Sequence, residues 1–182
     1  LSLLRDFGMD DYYLELSTRE TEGDKKDTFM GSDEEWEDAP DVLIDCATLT
    51  GAARMALGPE LTALFCADDT LAGDLLAAGR GAADPMWRLP LWAGYDDELT
   101  SKVADVNNVS AGQFAGAIFG ALFLQRFVTP RRNWLHLDLY AWNGKERPGR
   151  PVGAEAQTLR ALFAWLETRY RCGQATVHAA AN

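Results

Sequence analysis

Cysteine is scarce in this chain. Cys46, Cys66 and Cys172 are the three among 182 residues, widely separated and without a Cys-x-x-Cys pair. An odd number at such spacing argues against a disulfide framework and carries no zinc-ligand signature. Cys46 and Cys66 each sit in an apolar run and read as buried free thiols, which fits a reducing cytoplasm. Histidine is rarer still: His136 lies in an apolar, strand-like run and His178 in the tail. A lone strand histidine reads first as a structural residue. Basic residues are outnumbered, 17 Lys+Arg against 28 Asp+Glu, for a net charge of −11. That balance argues against capture of a nucleic-acid backbone. No apolar run reaches the ~18–20 residues of a membrane span. A P-loop, a G-x-G-x-x-G and a G-x-S-x-G are all missing. No basic-then-apolar leader is visible, so no secretory signal is expected. The first residue is Leu, not Met, and the expectation is a trimmed or partial chain.

What is present is a globular composition, 47% apolar and 25% charged, in a length that accommodates one domain with a real core. The charge is unevenly placed. Residues 1–40 hold 13 acidic and four basic residues, leaving −2 for the other 142. Ser17–Asp38 is polar and aperiodic, so residues 1–39 read as a solvated, disordered acidic lead, with a short ordered piece at Asp11–Leu16. A metal- or partner-binding tail is the other reading of that segment.

From Pro40 the pattern changes. Asp41–Cys46 reads as a buried strand, followed by a turn at Ala47–Gly51 and a helix over Ala52–Leu57 that Gly58-Pro59 stops. Leu61–Ala67 reads as a second strand and Asp69–Gly79 as a helix. Pro85–Trp92 is too rich in proline for a central strand. Tyr95–Val103 is expected to be helical, and Ala104–Ser110 a polar loop. Gly116–Phe127 is apolar and of helix length. Trp134–Tyr140 alternates as a strand, and Asn143–Val152 is a Gly/Pro/Arg loop. Glu155–Tyr170 reads as an amphipathic helix with Leu159, Leu162, Phe163, Leu166 and Tyr170 at helical spacing. Residues 172–182 are expected to fray. Strands alternating with helices give an α/β class, layers around a mostly parallel sheet.

Few residues carry chemistry by themselves. Asp45 precedes a strand-to-helix turn, where α/β folds place ligands; its ordinary reading is a turn-capping carboxylate. Thr48 and Thr50 are potential caps of the next helix. His136 and Asp138 share a strand face, with no nucleophile placed beside them by the sequence. Asp105, Asn107 and Asn108 are accounted for by turn chemistry.

The motifs taken in order say more. Asp41-Val-Leu-Ile-Asp-Cys-Ala-Thr-Leu-Thr-Gly-Ala-Ala53 is followed by Ala56-Leu57-Gly58, Trp87-Arg88-Leu89-Pro90-Leu91 and Ser101-Lys-Val-Ala-Asp-Val-Asn-Asn108. Then come Ala115-Gly116-Ala117 through Phe127-Val128, and Trp134-Leu-His-Leu-Asp138. Together, across Pro40 to Tyr170, these resemble the leucyl (cytosol) aminopeptidase family, peptidase M17. The Tyr140-Ala-Trp-Asn143 and Arg147-Pro-Gly-Arg-Pro151 pieces resemble a bacterial branch of it. The resemblance implies a three-layer α/β/α catalytic domain, of which residues 40–171 are the C-terminal part, hence an incomplete domain. It also implies a cytoplasmic, homo-oligomeric (hexameric) enzyme that hydrolyses N-terminal residues from peptides with two divalent cations (Zn, Mn or Mg).

One departure bears on that chemistry. The family's metal-ligand hallmark, N-T-D-A-E-G-R, belongs where this chain has Thr18-Arg-Glu-Thr-Glu-Gly-Asp24. Glu22-Gly23 coincide with it and Glu20 offers a carboxylate, but Asp24 stands in place of the arginine. The lysine-bearing segments upstream have no counterpart. So no catalytic or metal-binding residue is assigned, and the cations are not expected to bind this chain alone. What the resemblance carries over is a substrate wall: Thr48, Leu49 and Gly51, with Tyr140 and Asn143 where other branches have a small residue and often methionine. A non-catalytic α/β scaffold or assembly module derived from the family is the alternative.

Overall fold

A computed structural model describes residues 41–110, 112–128 and 133–170. The acidic lead with its Asp11–Leu16 piece, Glu20, Glu22, Asp24, Cys172, His178 and the 172–182 tail lie outside the described residues.

Strand β1 (Leu43–Ala47) leads through a turn into helix α1 (Gly51–Leu57), then β2 (Thr62–Cys66) and α2 (Asp69–Gly81). Strand β3 (Met86–Arg88), a 3₁₀ helix (Ala93–Leu99) and α3 (Gly116–Gln125) follow. The chain closes with β4 (Trp134–Asp138), a two-stranded ribbon of β5 (Trp142–Asn143) and β6 (Gly153–Ala154), and α4 (Leu159–Tyr170). The main sheet runs β1-β4-β2-β3. β1 and β4 are parallel, as are β2 and β3, while β4 and β2 are antiparallel. The sheet is therefore mixed and mostly parallel.

Strand alternation sends successive side chains to opposite faces, and the helices cover both. Leu64, Cys66, Leu135 and Leu137 face α2 and α4, where Leu71, Leu75, Ala161 and Trp165 complete one core. Ala63 and Phe65 face the other way, against Ala53 of α1 and Ala117 and Ala121 of α3. This is the three-layer α/β/α arrangement. β2 and β4 are buried along their whole length, whereas β1, at the end of the described sheet, is only half-buried. The buried strand expected at Asp41–Cys46 is thus a half-buried one.

Other expectations need correction. The helix expected over Tyr95–Val103 is a 3₁₀ segment that ends at Leu99, because the Thr100 hydroxyl and amide both donate to the Asp97 carbonyl. The helix expected from Glu155 starts at Leu159. Gln157 bonds elsewhere, and Thr158 takes a left-handed φ of 68° that a β-branched residue rarely adopts. The start is set from a distance. Buried Asp84 accepts hydrogen bonds from the amides of Thr158, Arg160 and Ala161, capping α4 across the fold. The buried face of α4 is also not the predicted one. Ala161 and Trp165 point inward with Leu162 partly buried, while Leu159, Phe163, Leu166 and Tyr170 are exposed. Proline-rich Pro85–Trp92 supplies only an edge strand, as its composition demands.

Asp45 does not cap the turn that follows it. It lies within β1, opposite His136 of β4. Its carboxylate accepts the Trp134 indole N–H at 2.7 Å and meets His136 Nδ1 at 2.5 Å. His136 is fully buried, with its ring stacked near Phe65 and Trp134, and its Nε2 has no partner among the described residues. One carboxylate thus staples β1 to β4. Asp45→Ala leaves two buried donors unsatisfied, at about 1–3 kcal/mol each. Urea unfolding is expected to show a loss of at least ~2 kcal/mol; an unchanged midpoint would contradict the staple.

Candidate functional site

The parallel pair β1 and β4 ends on the same side of the sheet, and α/β folds place ligands outside such carboxyl ends. A cavity of about 310 Å³ opens there. Thr48, Thr50 and Gly51, from the turn after β1, line one side. Asp138, Leu139 and Tyr140, from the end of β4, line another, and Arg54, Gly58 and Leu61 complete it.

Asp138 organises this turn. The carboxylate is buried and accepts the amide of Leu49 at 3.0 Å, the amide of Thr50 at 3.2 Å and the Thr50 hydroxyl at 2.6 Å. Thr50 Oγ1 in turn accepts the Ala53 amide at 3.1 Å and caps α1. Of the two threonines read as caps, Thr50 caps and Thr48 does not. His136 and Asp138 share a face without pairing; each serves a different partner.

A glycine lets the turn sit where it does. A Cβ on Gly120 of α3 would lie 2.9 Å from Thr50 Cγ2 and 3.0 Å from Leu49 Cδ2. The Thr50 and Leu49 side chains therefore pack directly on α3 at Gly120, and a Cβ there would force them to shift. The opposite wall is braced by Gln157. Its carbonyl oxygen accepts the amides of Tyr140 and Ala141, and its Nε2 donates to the Pro59 carbonyl across the cavity's rim. Ala141 holds a left-handed φ of 56°, which these bonds stabilise.

The five residues expected to form a substrate wall are partly brought together. Thr48, Gly51 and Tyr140 line the cavity. Leu49 is exposed beside it, with its side chain turned toward Gly120. Asn143 is buried elsewhere: its amide donates to the carbonyls of Arg150 and Pro151 and holds the ribbon loop. Arg54, Gln157 and Gly120 escaped the sequence reading. Arg54 carries only the weak signal of a cation in a helix's last turn, and a buried brace such as Gln157 leaves no local signature.

A second, larger cavity of about 790 Å³ lies at the ends of β2 and β3. Its cations are already engaged: Arg88 pairs with Asp69 and donates to the Cys66 carbonyl, and Arg126 pairs with Asp96. Burial raises the Cys66 thiol, and burial together with the neighbouring Asp45 charge pushes Cys46 up to about 11. Neither is a ready nucleophile at neutral pH.

Among the described residues there is no group of three or more His, Cys, Asp or Glu that could hold a metal ion. The carboxylates nearest the cavity are committed, Asp138 to the turn and Asp45 to Trp134 and His136. The described residues therefore do not fit a two-cation centre. No helix among them is long and apolar enough to cross a membrane.

The fold defines an α/β domain with a cavity at a strand end, and comparison with known proteins gives it a family. The model of the cytosol aminopeptidase family catalytic domain matches residues 28–163. The chain belongs to the cytosol aminopeptidase family. It is 45% identical over 126 residues to a probable cytosol aminopeptidase of Oleidesulfovibrio alaskensis, covering 68% of this chain and 24% of that protein. Against the probable cytosol aminopeptidase of Burkholderia ambifaria it is 50% identical over 125 residues, 66% of this chain and 24% of the relative. Among solved structures it resembles the cytosol aminopeptidase from Coxiella burnetii, with 54% identity and a TM-score of 0.69 over 72% of this chain and 29% of that one. It also resembles the bottromycin maturation enzyme BotP in complex with Mn, with 40% identity and a TM-score of 0.68 over 71% of this chain and 29% of that chain. The chain spans about a quarter of the length of the curated relatives it matches.

Removing the Asp138 carboxylate should release the turn. In Asp138→Ala, amide exchange at Leu49 and Thr50 is expected to speed up by ~10-fold or more, the equivalent of about 1.4 kcal/mol. Unchanged protection at both amides would mean that the turn is held by something else.

Proposed function

We propose that residues 40–170 are the substrate-facing C-terminal part of a metal-dependent aminopeptidase catalytic domain that removes N-terminal residues from peptides. The observation that carries this reading is the coincidence of the family match over residues 28–163 with a cavity at the ends of β1 and β4. In this reading Thr48, Leu49, Gly51 and Tyr140 form the wall beside the peptide's N-terminal side chain, and Asn143 holds the loop behind Tyr140. The divalent cations, Zn, Mn or Mg, belong to ligands outside the described residues. A cytoplasmic parent enzyme accompanies the proposal, supported by the relatives' description as cytosol aminopeptidases; its hexameric assembly rests on the family resemblance alone.

An assembly role is the second reading. It is favoured by the exposed stripe Leu159, Phe163, Leu166 and Tyr170 on α4 and by half-buried β1 at the end of the sheet among the described residues. Apolar stripes and open edges of this kind invite association.

A chimera separates the two. The matching segment of the Coxiella burnetii enzyme is replaced by residues 40–170 of this chain, and hydrolysis of leucine p-nitroanilide is followed with added Mn. Chelator-sensitive turnover within about 10-fold of the parent is expected. A chimera that folds, assembles and loads metal but does not turn over would leave only the assembly reading.

A further inference from the structure

The polar groups around the cavity are unbalanced. Its one carboxylate, Asp138, is saturated by three donors from the turn. The groups left over are all able to donate. Arg54 is exposed, and no carboxylate pairs with it among the described residues; its guanidinium carbon lies 5.0 Å from the centre of the Tyr140 ring. The hydroxyl-bearing side chains of Thr48 and Tyr140, each able to donate, line the same cavity. Nearby Glu60 is paired with Arg147. A cavity whose one carboxylate is already engaged by the turn, and whose charged side chain without a carboxylate partner among the described residues is Arg54, favours an anion over a cation.

The ring beneath Arg54 matters for this. Stacking on Tyr140 restrains the guanidinium while leaving its N–H edges free for a carboxylate. Tyr140 is itself held, through its backbone amide, by Gln157. A volume of about 310 Å³ accommodates a side chain of glutamate size with water to spare. The ordinary role of Arg54, a cation completing the last turn of α1, accounts for its charge but not for its place over Tyr140 in the cavity wall.

We propose that Arg54, with Thr48 and Tyr140, makes this cavity select an acidic side chain, so that the preferred ligand is a peptide whose N-terminal residue is glutamate or aspartate. Arg54 is the specificity-determining residue. The inference rests on the reading above that the cavity faces the peptide's N-terminal side chain.

The test uses the full 182-residue chain, labelled with ¹⁵N. It is titrated with the α-amides of glutamate, glutamine and leucine while the amides of Gly51, Ala53 and Tyr140 are followed. Glutamate α-amide is expected to bind at least ~5-fold more tightly than its neutral glutamine counterpart, with shifts at those three amides. That preference should shrink with added salt, collapse in R54M and partly return in R54K. Equal affinities for the glutamate and glutamine amides, with cavity shifts for both, would overturn the acidic preference and leave the substrate-facing reading standing. Cavity shifts absent for all three ligands would overturn the acidic preference, while the substrate-facing reading stands or falls separately with turnover by the chimera.

Discussion

The Asp138 carboxylate is the constraint on which the site depends. It sits at the last position of β4 and reaches across to the turn that follows β1, taking two amides and a hydroxyl. Three donors on one buried carboxylate offset its desolvation and fix the turn without a glycine-rich loop. Thr50, held by that bond, then caps α1 and sets the direction of the helix that carries Arg54. Asp45 does the same work one pleat earlier in the sheet, joining β1 to β4 through Trp134 and His136. Both carboxylates are thus engaged in holding strands and turn together.

The sequence shows the layered class and most elements because burial repeats locally. DVLIDC, LTALFCA and WLHLDLY are short apolar runs, and each became a strand within one or two residues of its expected ends. Gly58 stops α1 where Gly-Pro implies it should, with a positive φ. Reading failed where long-range bonds decide. The start of α4 follows from Asp84, some 74 residues earlier in the chain, and nothing near Glu155 announces it. Its inward face follows from small Ala161 and large Trp165 meeting α2, so hydrophobicity alone picked residues that remain exposed.

The site was legible in the same measure. Thr48, Gly51 and Tyr140 are near the cavity because motif and strand end coincide. Asn143 is not, since its side chain answers to the carbonyls of its own loop. Gln157 and Gly120 act through a single bond pattern and a single absent Cβ, neither of which leaves a periodic trace.

The proposed function divides the labour: these residues are proposed to face the peptide, and the metal ligands to lie outside the described residues. The most direct test is the metal content of the purified chain after incubation with Zn or Mn, measured together with hydrolysis of leucine p-nitroanilide. The account predicts folded protein with neither stoichiometric metal nor turnover. Stoichiometric metal, with turnover abolished by a chelator, would contradict it and direct attention to Glu20 and Glu22.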